Sequence, residues 1–242
     1  MDSTPAPLLE TVEHETGPSP AWSVLWLHGL GADGHDFAPI VPELCMRDGS
    51  RRGWPALRFV FPHAPVRPVT VNNGMRMRAW YDIRNFGADE LGGGDRADSA
   101  GVLESVMQVE SLVAREAARG IPPERVVLAG FSQGGAIALS AGLRRVQPLA
   151  GIVALSTYLP MAPQAARFTR HAALRQPVFM AHGSADPVVP ARAGEHSAQV
   201  LRSLGFELEW HAYPMGHSVC AEEIRDLGDW LERRFAAPAE AG

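Results

Sequence analysis

The chain contains no lysine. Its 22 basic residues are all arginines, scattered among 27 acidic ones, and the net charge is −5. No block of one sign stands anywhere, so nothing provides an electrostatic footprint for nucleic acid or for a membrane surface. Only two cysteines occur, Cys45 and Cys220. Two are too few for a disulfide framework, and reduced thiols in a cytoplasmic protein are the expectation. No uninterrupted apolar run approaches the roughly 18 residues that a bilayer span requires. The first twenty residues have neither a basic start nor an apolar core, so no secretory leader is expected. Internal repeats are also missing.

What is present is a chain of 242 residues with 46% hydrophobic content, enough for a large single core. The expected layout is a flexible tail over 1–20, one domain over 21–235, and a frayed tail over 236–242. Prolines 5, 7, 18 and 20 break the first stretch, although Leu8 to His14 has the pattern of an edge strand. Beyond it, short apolar runs alternate with helical patterns. Strands are expected at Ser23–Leu27, Leu57–Phe61, Val126–Ala129, Gly151–Leu155, Val178–Ala181 and Glu207–His211. Helices are expected at about Phe37–Met46, from Asp98 onward, after Ser132, and at Pro190–Leu204 and Ala221–Phe235. Val102, Val106, Val109 and Val113 recur at spacings of four, three and four, the stripe of an amphipathic helix. Such alternation predicts an α/β fold, a mainly parallel sheet with helices on both faces. In such sheets the chemistry gathers at the carboxyl ends of the strands.

The central run is Val126-Val127-Leu128-Ala129-Gly130-Phe131-Ser132-Gln133-Gly134-Gly135-Ala136-Ile137. A bare Gly-x-Ser-x-Gly arises easily by accident in a chain with 24 glycines. Placed between a buried strand and a helix, it reads as a nucleophile elbow, with Ser132 held on a sharp turn. A serine hydroxyl attacks only when a base accepts its proton, and the base needs an acid to fix its tautomer. In α/β-hydrolases these follow in the order Ser, Asp or Glu, His. Asp186 stands just beyond the strand ending near Ala181, in His182-Gly183-Ser184-Ala185-Asp186-Pro187. His217 stands on the loop after the next strand, in Pro214-Met215-Gly216-His217-Ser218. The bland alternatives are turn chemistry for Asp186 and a solvated loop residue for His217. His182 and His211 fall in strand patterns and read as fold-supporting, while His171 and His196 read as surface residues.

An oxyanion forming at Ser132 needs donors. One is expected from the backbone N–H of Gln133. The other is expected from Leu30, within the turn-rich loop His28-Gly29-Leu30-Gly31-Ala32-Asp33-Gly34, whose glycines let the backbone turn inward. No Gly-x-Gly-x-x-Gly opens a helix there, so a dinucleotide site is not expected. His28 and His35 lack a third ligand at useful spacing, so a metal is not expected either. Trp80 and Tyr81 read as core or supporting aromatics ahead of acyl-groove residues, and Cys220 as a buried inert thiol.

Taken together the chain resembles the carboxylesterase/acyl-protein thioesterase (lysophospholipase-like) family of α/β-hydrolases, over about Ser23 to Phe235. The resemblance rests on Leu27-His28-Gly29-Leu30-Gly31, on Pro62-His63-Ala64-Pro65-Val66-Arg67-Pro68-Val69-Thr70 and on Ala79-Trp80-Tyr81-Asp82-Ile83. It continues through Gly130-Phe131-Ser132-Gln133-Gly134-Gly135, His182-Gly183-Ser184-Ala185-Asp186-Pro187-Val188-Val189-Pro190 and Gly216-His217-Ser218. It implies an α/β-hydrolase fold and a Ser132, Asp186, His217 triad with Leu30 and Gln133 amides as oxyanion hole. It also implies hydrolysis of carboxylic esters or thioesters, some members acting on lysophospholipids, without metal or organic cofactor. The substrate is expected to be a small ester or thioester, and the acting unit a monomer or homodimer. A hydrolase-fold binding protein with a misaligned triad is the alternative.

Between Asp82 and the long helix the chain offers only Ile83-Arg84-Asn85-Phe86-Gly87-Ala88-Asp89-Glu90-Leu91-Gly92-Gly93-Gly94-Asp95. A segment this glycine-rich, with Phe86 and Leu91 isolated, carries too large an ordering entropy to build an apolar lid. The rate on a medium-chain ester is therefore expected to saturate smoothly across its solubility limit. A several-fold jump at that limit would reveal a lid.

Overall fold

Mainly apolar runs rich in Val, Leu, Ile and Phe become five inner parallel strands, because a strand covered on both faces is mainly apolar, and a sixth, at the sheet edge over 208–213, alternates as Leu-Glu-Trp-His-Ala-Tyr. In the computed structural model, which describes residues 8–84 and 98–236, strand β1 (Thr11–Glu15) leads into β2 (Trp22–Leu27), helix α1 (Ile40–Leu44) and the two-residue strands β3 (Met46–Arg47) and β4 (Ser50–Arg51). Then come β5 (Leu57–Pro62), the hairpin β6 (Val66–Val69) and β7 (Met75–Arg78), and the long helix α2 (Ser99–Ala118). The second half runs β8 (Val126–Phe131), α3 (Gln133–Leu143), β9 (Gly151–Leu155) and α4 (Ala165–Phe168). It ends with β10 (Val178–Gly183), α5 (Ala191–Ser203), β11 (Leu208–Tyr213) and α6 (Ala221–Ala236).

The main sheet has seven strands in the order β1-β5-β2-β8-β9-β10-β11. Only β1 is antiparallel, pairing with β5 along the edge. Each strand sends alternate side chains to opposite faces, and the core divides accordingly. Leu25, Leu27 and Leu128 pack with Val102, Val106 and Val109 of α2, Ile137 of α3 and Leu201 of α5. Val24, Trp26, Val127 and Ala129 pack with Ile40, Val41 and Leu44 of α1 and with Leu227, Trp230 and Leu231 of α6. Helices thus cover both faces, as the alternation of patterns predicted. Among the described residues no helix is long and apolar enough to cross a membrane.

The edge strand expected within Leu8 to His14 is present as β1, held by its ladder to β5 and by ion pairs from Glu13 to Arg115 and Arg119 of α2 at 2.9 Å. Three differences from the sequence reading have physical causes. Helix α1 is only five residues long, shorter than the expected Phe37–Met46. Phe37 is drawn instead into a stack with Trp26, ring centres 5.2 Å apart. The proline-punctuated stretch after β5 contains the β6–β7 hairpin, where an edge position spares Pro68 the bond it cannot donate. Finally, Glu116 on the apolar-looking α2 is fully buried, and its charge is met by Arg58 and Arg119, each at 3.0 Å. The segment read as unable to form a lid lies, past Arg84, outside the described residues.

One buried group works against stability. Glu223 sits in the first turn of α6, where Cys220 accepts the first helical bond from the Ile224 N–H at 3.0 Å. The residue is 1% exposed, and no hydrogen bond of ordinary geometry reaches either carboxyl oxygen. Burial pushes the carboxyl up to about 8, against a smaller opposing pull from the Cys220 backbone. A carboxyl raised in the folded state holds its proton there after the unfolded chain has lost it. Its contribution is therefore fully present below about 4.5 and is lost as pH rises toward about 8. Glu223→Gln should accordingly raise the melting temperature most at pH 8, with the gain shrinking toward pH 5. Thermal unfolding of both proteins across that range is the measurement, and a pH-independent difference would contradict it.

Candidate active site

Ser132 falls between the last residue of β8 and the first of α3, with φ 54° and ψ −119°. A non-glycine residue held at positive φ is strained by about 1–3 kcal/mol, so its surroundings must over-determine it. They do. The Ser132 N–H donates to Leu155 O at 2.8 Å, and its carbonyl accepts from Thr157 Oγ1 at 2.6 Å and from the Ala136 N–H at 3.1 Å. Two glycines make the turn sterically feasible. A Cβ on Gly130 would lie 2.4 Å from the Gly134 backbone, and one on Gly134 would lie 2.2 Å from Leu27 O. Strand β2, strand β8 and helix α3 meet there at backbone contact.

A serine before a helix usually caps it. Ser132 makes no side-chain cap. Its Oγ lies instead 2.9 Å from His217 Nε2. On the other side of the ring, His217 Nδ1 lies 2.7 Å from Asp186 Oδ2. The geometry assigns the proton to Nδ1, leaving Nε2 as acceptor for the serine hydroxyl. The Asp186 side chain is fully buried. Its Oδ1 accepts from the Val188 and Val189 N–H groups at 2.8 and 2.9 Å, which fixes the carboxylate while Oδ2 faces the histidine. Asp186 therefore performs the turn chemistry of the bland reading and hydrogen-bonds His217 as well.

Loops from β10 and β11 carry these two residues and are laced together. Ser184 N–H donates to Tyr213 O at 2.8 Å and Ala185 N–H to Met215 O at 3.1 Å. A Cβ on Gly183 would lie 2.2 Å from Gly216 O, so glycine there lets the loops close. His182 is buried, and its Nε2–H donates to Val189 O at 2.8 Å, steadying the Asp186 loop. Burial holds its pKa below the usual imidazole range. His211 stacks on Phe179 with ring centres 4.8 Å apart, within β11. His171 is exposed and His196 half-buried. None of these takes the position of His217.

The loop after β2 brings Leu30 to the same place. Gly31, at φ 79°, donates its N–H to Arg78 O at 2.9 Å and turns the loop toward the serine. The run from Gly29 to Gly34 has the glycine spacing of a dinucleotide loop, yet the next helix starts only at Ile40. His28 is buried and faces Ala64, not a ligand set. Among the described residues no group of three or more His, Cys, Asp or Glu could hold a metal ion. Leu30, Ser132 and Gln133 line a cleft of about 90 Å³ with Tyr81, Ile83, Tyr158 and Val189. Its walls are mainly apolar, which suits a hydrocarbon chain better than a charged group. Tyr81 shares a 2.9 Å hydrogen bond with Tyr158 across it, and burial together with Tyr158 pushes the Tyr81 phenol well up.

Sequence reasoning thus brought together Ser132, Asp186, His217, Leu30 and Gln133, all now within one site. It missed Tyr158 and Thr157, which follow β9 and carry no motif of their own. Tyr81 is buried in the core, as read, and its ring also lines the cleft. Trp80 matches its reading and is buried outside it.

Comparison with known proteins follows the same line. The sequence profile of the phospholipase/carboxylesterase family matches residues 10–234. The chain belongs to that family. Acyl-protein thioesterase 1 of Gibberella zeae is 39% identical over 216 residues, covering 88% of this chain and 90% of that protein. Carboxylesterase SOBER1 of Arabidopsis thaliana is 34% identical over 213 residues, 88% of this chain and 90% of that one. Its crystal structure superposes with a TM-score of 0.79, covering 88% of this chain and 98% of that one. Acyl-protein thioesterase 2 of Zea mays superposes at 0.75 with 25% identity, covering 93% and 99%. The fold of this phospholipase/carboxylesterase-family protein is therefore that of the α/β-hydrolases.

The glycine contacts give a prediction. Gly134→Ala would drive a methyl group into Leu27 O, and overpacking of this kind costs about 1–3 kcal/mol. The variant should melt several degrees lower and lose more activity than Gly142→Ala, where the clash is with the flexible end of Ile152. Equal activities in the two variants would count against the elbow contact.

Proposed function

We propose that this protein is a serine hydrolase that cleaves carboxylic esters with short to medium acyl chains, thioesters included, by way of an acyl-enzyme. The observation that carries the reading is the unbroken chain from Asp186 Oδ2 through His217 to Ser132 Oγ, at 2.7 and 2.9 Å. In this reading Ser132 Oγ attacks the acyl carbon while its proton passes to His217 Nε2. The carbonyl oxygen becomes an oxyanion, held by the Leu30 and Gln133 N–H groups. The first N–H groups of α3 have no partner within the helix, and its dipole favours negative charge at that end. The tetrahedral species collapses as His217 returns the proton to the leaving alkoxide or thiolate. Water then attacks the acyl-enzyme, giving its proton to His217, and Ser132 is restored with release of the acid. Asp186 keeps the tautomer and steadies the imidazolium.

The mainly apolar cleft beside Ser132 supports an acyl chain there, and the names of the relatives support both esters and thioesters. A binding protein with a misaligned triad is disfavoured by the same two distances. The reading includes action in the cytoplasm, in keeping with two free cysteines, and needs no cofactor.

Ser132→Ala should lower hydrolysis by about 10³-fold or more with the fold intact, and should abolish labelling by a fluorophosphonate. Asp186→Asn should cost about 10²-fold or more through loss of tautomer control. For the parent enzyme, kcat/KM should fall on acidification, because a protonated His217 cannot take the serine proton, and should level off in mild alkali. Near-parent rates in Ser132→Ala, or a flat profile from about pH 5 to 9, would overturn the mechanism.

A further inference from the structure

The two proposed oxyanion donors come from elements far apart in the chain. Leu30 lies on the loop after β2, and Gln133 opens α3. Their separation is therefore set by tertiary contacts, and one residue spans them. Trp80 is fully buried, and each of its polar groups has a partner. Its indole Nε1–H donates to His28 O at 2.9 Å, at the root of the Leu30 loop. Its backbone N–H donates to Gln133 Oε1 at 2.9 Å. Its carbonyl accepts a hydrogen bond from Ser105 Oγ on α2. Gln133 adds a second strap, from Nε2–H to Tyr81 O at 2.8 Å. On the loop side, the His28 ring packs against Trp80 with centres 5.4 Å apart. It donates to Gly29 O at 2.7 Å and accepts from the Ala64 N–H at 3.1 Å.

We propose that Trp80 is a positioning residue that sets the spacing of the Leu30 and Gln133 N–H groups, and so the fit of the site to the tetrahedral oxyanion. The inference rests on the donor assignment made above. A ring that served only to fill volume would need no N–H at this point, and no backbone bond to the side chain of the residue after the nucleophile. The bridge matters because an oxyanion donor works over a narrow range of about 2.7–3.1 Å. A shift of about 1 Å can cost 10²-fold in rate. Ground-state substrate binding depends on the cleft walls, of which Trp80 is not part.

Two variants test the bridge. Trp80→Phe keeps an aromatic ring and deletes the indole N–H. Gln133→Met keeps the side-chain length and the backbone N–H and deletes both straps. Each should lower kcat by about 10- to 100-fold; KM should stay within about twofold for Trp80→Phe, which lies outside the cleft, while for Gln133→Met, at a cleft residue, the loss in kcat should exceed any change in KM. Affinity for an alkyl boronic acid, which forms a tetrahedral adduct on a reactive serine, should fall by a similar factor, while affinity for the carboxylic acid product stays level. Should Trp80→Phe fail to fold, Gln133→Met alone decides the matter by the same measurements. Parent-like kcat and boronate affinity in the folded variants would overturn the proposal, as would equal losses in kcat, KM and product binding, the mark of general loosening. A parent protein that binds the boronate no better than the product would instead overturn the donor assignment itself.

Discussion

The backbone contact between Gly130, Gly134 and Leu27 O is the constraint on which the site depends. A single methyl at either glycine would sit 2.2–2.4 Å from main-chain atoms, so strand and helix could not meet at the observed angle. With the contact in place, Ser132 is forced to φ 54° and its hydroxyl stands clear of the helix it precedes. The strain of about 1–3 kcal/mol is met locally. Bonds from Ser132 N–H to Leu155 O and from Thr157 to Ser132 O each contribute about 1 kcal/mol. The elbow is thus held by β9 as much as by its own glycines.

The same parallel sheet explains why the partners converge. Neighbouring parallel strands end at the same edge, so loops after β8, β9 and β10 open side by side, with that after β11 next in order. Ser132 follows β8, Thr157 and Tyr158 follow β9, Asp186 follows β10 and His217 follows β11. Leu30 follows β2, on the other flank of β8. Residues from Leu30 to His217 are thereby gathered at one end of the sheet. Close contacts such as Gly183 against Gly216 then bring the Asp186 and His217 loops to hydrogen-bonding distance.

That geometry accounts for what could be read in the sequence and what could not. Ser132, Asp186 and His217 were legible because each sits in a local signal, glycine punctuation directly after an apolar strand, and because their order along the chain is constrained. The five inner parallel strands were legible because burial on both faces leaves mainly apolar runs, and the edge strand β11 because its residues alternate. Glu116 was not, since its partner Arg58 lies on β5 and only the fold makes a charged residue tolerable at a fully buried position. The β6–β7 hairpin was hidden by Pro68, a residue that disqualifies a central strand but not an edge one. Trp80 and Tyr81 showed the limit most sharply. Adjacent in sequence and both buried, they differ in role because one indole reaches His28 and one phenol reaches the cleft.

Stability and activity draw on one set of atoms at Ser132. As a helix cap its hydroxyl would add about 1 kcal/mol; turned to His217 it leaves the first N–H groups of α3 without that partner. In the proposed mechanism those same N–H groups receive the developing oxyanion, and a capping side chain would compete for them. On that reading the uncapped helix end belongs to the site. The loss is tolerable because it is small beside the core on the two faces of the sheet, where Trp26, Trp80, Trp230 and Phe179 are each at most 1% exposed. Burying each such ring contributes about 1.5–3 kcal/mol, so the strain and the missing cap together amount to roughly one or two of them. A smaller sheet, with one face uncovered, would have little left to hold a serine in this conformation.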